Sequence, residues 1–93
     1  MADDGDGKAI VRRHFLISGI VQGVGFRPFV FRLAGELDLS GWVRNTPAGV
    51  EIEVQGTAEA LDAFRHALAH DLPPLAVVTS ISAEDIPLLP ERG

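Results

Sequence analysis

The segment Gln22-Gly23-Val24-Gly25-Phe26-Arg27 sets two glycines one residue apart just ahead of an arginine and a proline. Glycines let successive backbone N–H groups turn toward one point, and a helix start leaves its first N–H groups unpaired. Such a turn is a nest for a small anion. Arg27 adds a planar, two-pronged donor suited to a phosphoryl group. The same spacing also fits a tight strand-to-helix turn with Arg27 solvated. Two other phosphate loops are excluded: Pro28 stands where a dinucleotide fingerprint needs its third glycine, and no Gly-Lys-Ser/Thr follows.

Other chemistry-bearing side chains are few. His66 and His70 are four residues apart on a helical stretch, so they share a face that could chelate a metal; with no third ligand in view they are read as paired surface histidines. His14 has no partner nearby in sequence and is read as a strand residue facing solvent. Glu51 and Glu53 alternate with Val50, Ile52 and Val54, so both belong to one sheet face, either solvated or an acid pair. There is no cysteine, which removes disulfides, thiol nucleophiles and thiolate metal sites.

The elements that would position these residues follow from periodicity. Val11 to Ile20 reads as a buried strand with Phe15 and Ile17 at period two. Val21 to Arg27 is a glycine-punctuated loop, and Pro28 suits the first position of a helix. Phe29, Val30, Leu33, Ala34 and Leu37 form that helix's apolar face, and Asp38 to Gly41 ends it. Trp42 to Asn45 and Val50 to Gln55 read as a hairpin around Thr46-Pro47-Ala48-Gly49. Thr57 is a candidate N-cap for a second helix whose stripe is Ala60, Leu61, Phe64, Ala67 and Leu68. Leu72 to Leu75 stops it, and Ala76 to Ala83 supplies a fourth strand. The order β-α-β-β-α-β predicts an α+β, ferredoxin-like sandwich: a four-stranded, mainly antiparallel sheet with two helices on one face and the first and third strands central. Trp42 and the five phenylalanines are assigned mostly to the core.

With 93 residues the chain is one domain, read as a flexible acidic arm over 1–10, a folded domain over 11–86 and a tail or linker to further domains over 87–93. No apolar run approaches the ~20 residues of a membrane helix and the N-terminus is acidic, so a cytoplasmic location is expected, with no membrane partner. The net charge of −5 argues against sequence-blind nucleic-acid binding. The charge is uneven: Lys8 to Val50 holds six basic and two acidic residues (net +4), the remainder two basic and eleven acidic (net −9). A positive region within an acidic chain suits a small anion better than a polyanion. The basic residues from Lys8 to Arg13 are read as a solvated strand start. An RNA-recognition domain shares the element order but wants exposed aromatics where Glu51, Glu53 and Gln55 stand.

Gly19-Ile20-Val21-Gln22-Gly23-Val24-Gly25-Phe26-Arg27, followed by Gly41-Trp42-Val43-Arg44-Asn45 and Gly49-Val50-Glu51, resembles the acylphosphatase signature. The resemblance implies hydrolysis of acyl phosphates, with Gln22, Gly23, Val24, Gly25, Phe26 and Arg27 cradling the phosphoryl group. It implies that Arg27 is the phosphate-binding side chain and that Asn45 orients the attacking water, with no cofactor and no metal. Phe26-Arg27-Pro28-Phe29-Val30 and Pro73-Pro74-Leu75-Ala76 are similar to the N-terminal domain of HypF-type hydrogenase-maturation carbamoyltransferases. That similarity implies carbamoyl phosphate as substrate and the downstream domains of a parent chain as partners. The isolated domain is expected to be a monomer. A stand-alone acylphosphatase and a non-catalytic phosphate-binding or docking domain remain the alternatives.

Overall fold

The computed structural model describes residues 8–89. The elements run β1 (Ile10–Ile20), α1 (Phe26–Glu36), β2 (Ser40–Thr46), β3 (Gly49–Thr57), α2 (Ala58–His70) and β4 (Val77–Ile86). The strands form one sheet in the order β2-β3-β1-β4, every neighbouring pair antiparallel. This is the expected ferredoxin-like arrangement, with β1 and β3 central. Of the expected arm, residues 1–7 lie outside the described residues, as do 90–93 of the expected tail. Ile10 already pairs with Thr57. Pro87 to Leu89 carry no regular structure, and the Leu89 N–H donates to Gln55 Oε1 at 3.2 Å.

Alternation in the central strands decides which face is covered. Phe15 faces Ile52 and Ile17 faces Val50 across the β1–β3 register, and all four are fully buried. Phe26, Phe29 and Val30 of α1 and Leu61, Phe64 and Leu68 of α2 close over them in one core. Phe15 and Phe64 meet with ring centroids 5.5 Å apart, tilted 56°. Burying a side chain of this size contributes about 1.5–3 kcal/mol, so these few contacts dominate a small core.

The helix boundaries have local causes. α1 begins at Phe26, two residues earlier than the proline suggested, because Pro28 takes the third helical position. The first amide the helix uses is that of Phe29, which donates to Gly25 O at 3.2 Å, so a proline at 28 forfeits no bond. At the other end Asp38 adopts φ 59, Leu39 N donates to Ala34 O and Asp38 N to Gly35 O. That pair of bonds is a Schellman ending with aspartate in the left-handed position, and Leu39 turns back into the core. α2 is capped as expected, Thr57 Oγ1 accepting from Ala60 N at 3.1 Å.

Four expectations are corrected on the exposed surfaces. Phe31 is 64% exposed, off the α1 stripe, and Trp42 is 37% exposed opposite Glu53, beneath the Arg44 guanidinium. The basic start of β1 is not solvated: Arg12 is 4% exposed and holds Glu53 Oε1 through Nε at 3.0 Å and Nη2 at 2.9 Å, while Arg13 pairs with Asp85 and Asp62. His14 is not merely solvent-facing, since its Nε2 lies 2.7 Å from Glu51 Oε2. Glu51 and Glu53 therefore share the uncovered sheet face as ion-pair partners, not as an acid pair. The ion-pair corrections share a cause: β1 is flanked by carboxylates of β3, α2 and β4 that sequence distance conceals. Among the described residues no helix is long and apolar enough to cross a membrane.

Candidate active site

Residues 21–25 cross from the end of central β1 to the start of α1. Val21 and Phe26 are buried and anchor the two ends of this crossing in the core. Between them Gly23 and Gly25 take φ 77 and 82, the left-handed region that L side chains rarely adopt. A Cβ at either position would meet nothing within 4 Å. Glycine is therefore needed for backbone direction and not for lack of room, and the loop opens onto free space. Gly25 caps α1 without any side-chain hydrogen bond. Among the described residues the N–H groups of Gly23, Val24, Gly25, Phe26 and Arg27 find no protein acceptor. Five donors at the positive end of a helix are thus left for a ligand.

A cleft of about 180 Å³ lies beside this turn, lined by Val21, Gly23, Gly25, Phe26, Arg27, Pro28 and Asn45. Asn45 comes from β2, opposite Val50, and is exposed like Arg27. Among the described residues Arg27 has no carboxylate partner. Its charge is available to an anion, in contrast to Arg12, Arg13 and Arg44, which are all paired. The structure therefore brings together Gly23, Gly25, Phe26, Arg27 and Asn45. Val24 is half-buried against the core and does not line the cleft.

Gln22 does not line it either. Its Nε2 donates to Thr46 O at 2.8 Å and to Gly49 O at 3.2 Å, tying the loop to the β2–β3 turn. Around that tie Thr46 Oγ1 donates to Gly49 O at 3.1 Å and accepts from Ala48 N at 3.1 Å, while Ser18 Oγ donates to Ala48 O at 3.2 Å. Asn45 is the residue before Thr46, so this lattice fixes the asparagine relative to the loop. Sequence reasoning missed Ser18 and Thr46. The only signal was a polar residue at each end of a turn, and the partners lie 24–30 residues away.

A larger groove, about 340 Å³, runs between α1 and the edge strand β2, but no ionisable side chain lines it. Glu51 is held below the usual carboxylate range by its hydrogen bond with His14 and then by Arg44, which suits it to structure, not to proton transfer. His66 and His70 lie with ring centroids 4.2 Å apart, and among the described residues no third His, Cys, Asp or Glu joins them.

Comparison with known proteins identifies the fold and the family. The chain is 60% identical over 74 residues to carbamoyltransferase HypF2 of Cupriavidus necator, covering 80% of this chain and 9% of that one. It is 41% identical over 85 residues to an acylphosphatase of Bifidobacterium longum, covering 90% and 87% of the two chains. A full-length HypF crystal structure in a phosphate- and nucleotide-bound form superposes with TM-score 0.84 at 40% identity, over 87% of this chain and 11% of that one. The acylphosphatase of Bacillus subtilis superposes with TM-score 0.81 at 38% identity, over 87% and 90%. The chain thus spans about a tenth of the carbamoyltransferases it matches and most of the acylphosphatases. The acylphosphatase family profile matches residues 13–93, glycine loop and Asn45 included, and the chain belongs to that family.

Proposed function

We propose that this chain hydrolyses acyl phosphates in the cleft between the glycine loop and Asn45, and that carbamoyl phosphate is its substrate as the N-terminal domain of a HypF-type carbamoyltransferase. The observation that carries the reading is one small cleft lined by Gly23, Gly25, Phe26, Arg27 and Asn45, where among the described residues the N–H groups of Gly23, Gly25, Phe26 and Arg27 have no protein acceptor and Arg27 has no carboxylate partner. The loop donors and Arg27 hold the equatorial phosphoryl oxygens, and Asn45 holds a water in line with the leaving oxygen. Water forms a bond to phosphorus as the bond to the acyl oxygen breaks, and the water's proton leaves to solvent. The leaving group is carboxylate-like, with a conjugate acid of pKa about 4, so it departs as an anion without a general acid. The chemistry asks for a positive field and positioning and for no metal, which is what these residues supply.

The pathway reading is supported by the 60% identity to HypF2 over four-fifths of the chain. A stand-alone acylphosphatase is favoured by one observation, the match to the Bifidobacterium longum enzyme over 87% of that protein. Phosphate release from carbamoyl, acetyl and benzoyl phosphate separates the readings. A HypF-type domain turns over carbamoyl phosphate with kcat/KM at least equal to the others, whereas a preference for acetyl or benzoyl phosphate favours the stand-alone enzyme. A folded chain that binds inorganic phosphate but releases it from none of the three is a docking domain, and hydrolysis is then excluded.

A further inference from the structure

We propose that His66 and His70 form a two-nitrogen site for a borderline divalent transition-metal ion such as Zn²⁺, at the C-terminal turn of α2. Neither histidine lines the phosphate cleft, and the site does not depend on the proposed hydrolysis. The two are four residues apart within one regular helix, the spacing by which helix-borne histidine pairs ligate zinc. Their rings lie side by side, centroids 4.2 Å apart and tilted 32°. Two imidazole nitrogens bound to one ion at about 2.0–2.1 Å stand roughly 3 Å apart in adjacent coordination positions, within reach of rings so placed. Both side chains are exposed, and among the described residues neither makes a hydrogen bond or ion pair, unlike His14, whose Nε2 is engaged by Glu51. Their nitrogens are free to ligate.

Position adds to this. His70 is the last residue of α2, where the unpaired carbonyls of the final turn favour a cation. The described residues supply two ligands, no third joining them, and water completes the sphere. That donor set dictates selectivity. Imidazole suits copper and zinc, copper binding more tightly, while magnesium demands oxygen ligands and is refused.

Isothermal titration of the 93-residue chain with Zn²⁺, Cu²⁺ and Mg²⁺ in a non-chelating buffer tests the site, with circular dichroism confirming that each variant is folded. Expected are one Zn²⁺ per chain, tighter Cu²⁺ binding and no Mg²⁺ heat. Loss of a second-sphere partner alone costs 10–100-fold in metal affinity, so His66→Gln and His70→Gln each weaken Zn²⁺ binding by about tenfold or more. His14→Gln leaves it unchanged. No saturation by about 1 mM free Zn²⁺ overturns the proposal. So does zinc affinity left unchanged in either His66→Gln or His70→Gln.

Discussion

Arg27 and Asn45 sit 18 positions apart in sequence on different elements, and each is exposed in a cleft that few other polar side chains enter. Their roles differ: a guanidinium binds charge in ground and transition states alike, while an amide that only orients water matters chiefly as the bond forms. Asn45→Ala is therefore expected to lower kcat by about 10²-fold, as loss of one preorganised donor does, while phosphate affinity shifts little. Steady-state kinetics beside a phosphate titration checks the split; equal losses in both place Asn45 in binding instead. Glu51 belongs to stability. His14 and then Arg44 hold its carboxyl below its ordinary value, and Arg13 does the same for Asp85. A depressed carboxylate contributes stability that is complete above the unfolded pKa and is lost as pH falls through the folded one. Denaturant midpoints should be flat above about pH 5 and fall below about pH 4, and Glu51→Gln should show a shallower acid fall. Parallel acid limbs in the two proteins exclude this role.

At the scale of elements, the loop and the β2–β3 hairpin act as one unit because Gln22 bridges them. Gln22→Ala removes donations to Thr46 O and Gly49 O, each worth a net ~0.5–1.5 kcal/mol, and frees Asn45 to drift from the loop. The expected outcome is a loss of about 1–2 kcal/mol in urea unfolding and a fall in kcat larger than the fall in phosphate affinity. Unchanged kcat in a destabilised variant contradicts the positioning role. This tie also marks where sequence stops being informative. Period-two burial at Phe15 and Ile17, the stripe of α2 and the Thr57 cap were legible because each pattern is complete within a few residues. The glycine loop was legible for the same reason. Pro28 misplaced the helix start because a proline is tolerated throughout the first turn. The side-chain role of Gln22 and the burial of Arg12 were not legible, since both arise from register between residues 24–41 positions apart. Motif resemblance placed Gln22 in the cradle, whereas in the structure its side chain ties the loop to the β2–β3 turn.

For the molecule as a whole, two helices on one face of four strands leave a small core in which single rings count. Phe64 is fully buried against Phe15, and Phe64→Ala should cost about 3–5 kcal/mol. Small domains hold about 5–15 kcal/mol in total, so denaturant unfolding should show the variant near its limit, and a cost under about 1 kcal/mol contradicts this core. The sheet end that this core secures, together with the Gln22 tie, is what holds an exposed loop and an exposed asparagine at a fixed separation. The most direct test of the central claim is phosphate release from an acyl phosphate by the wild type and by folded Arg27→Ala, measured side by side with phosphate titration. The cradle predicts that the variant loses phosphate binding and at least about 10²–10³ in turnover. Turnover retained by a folded Arg27→Ala would contradict it.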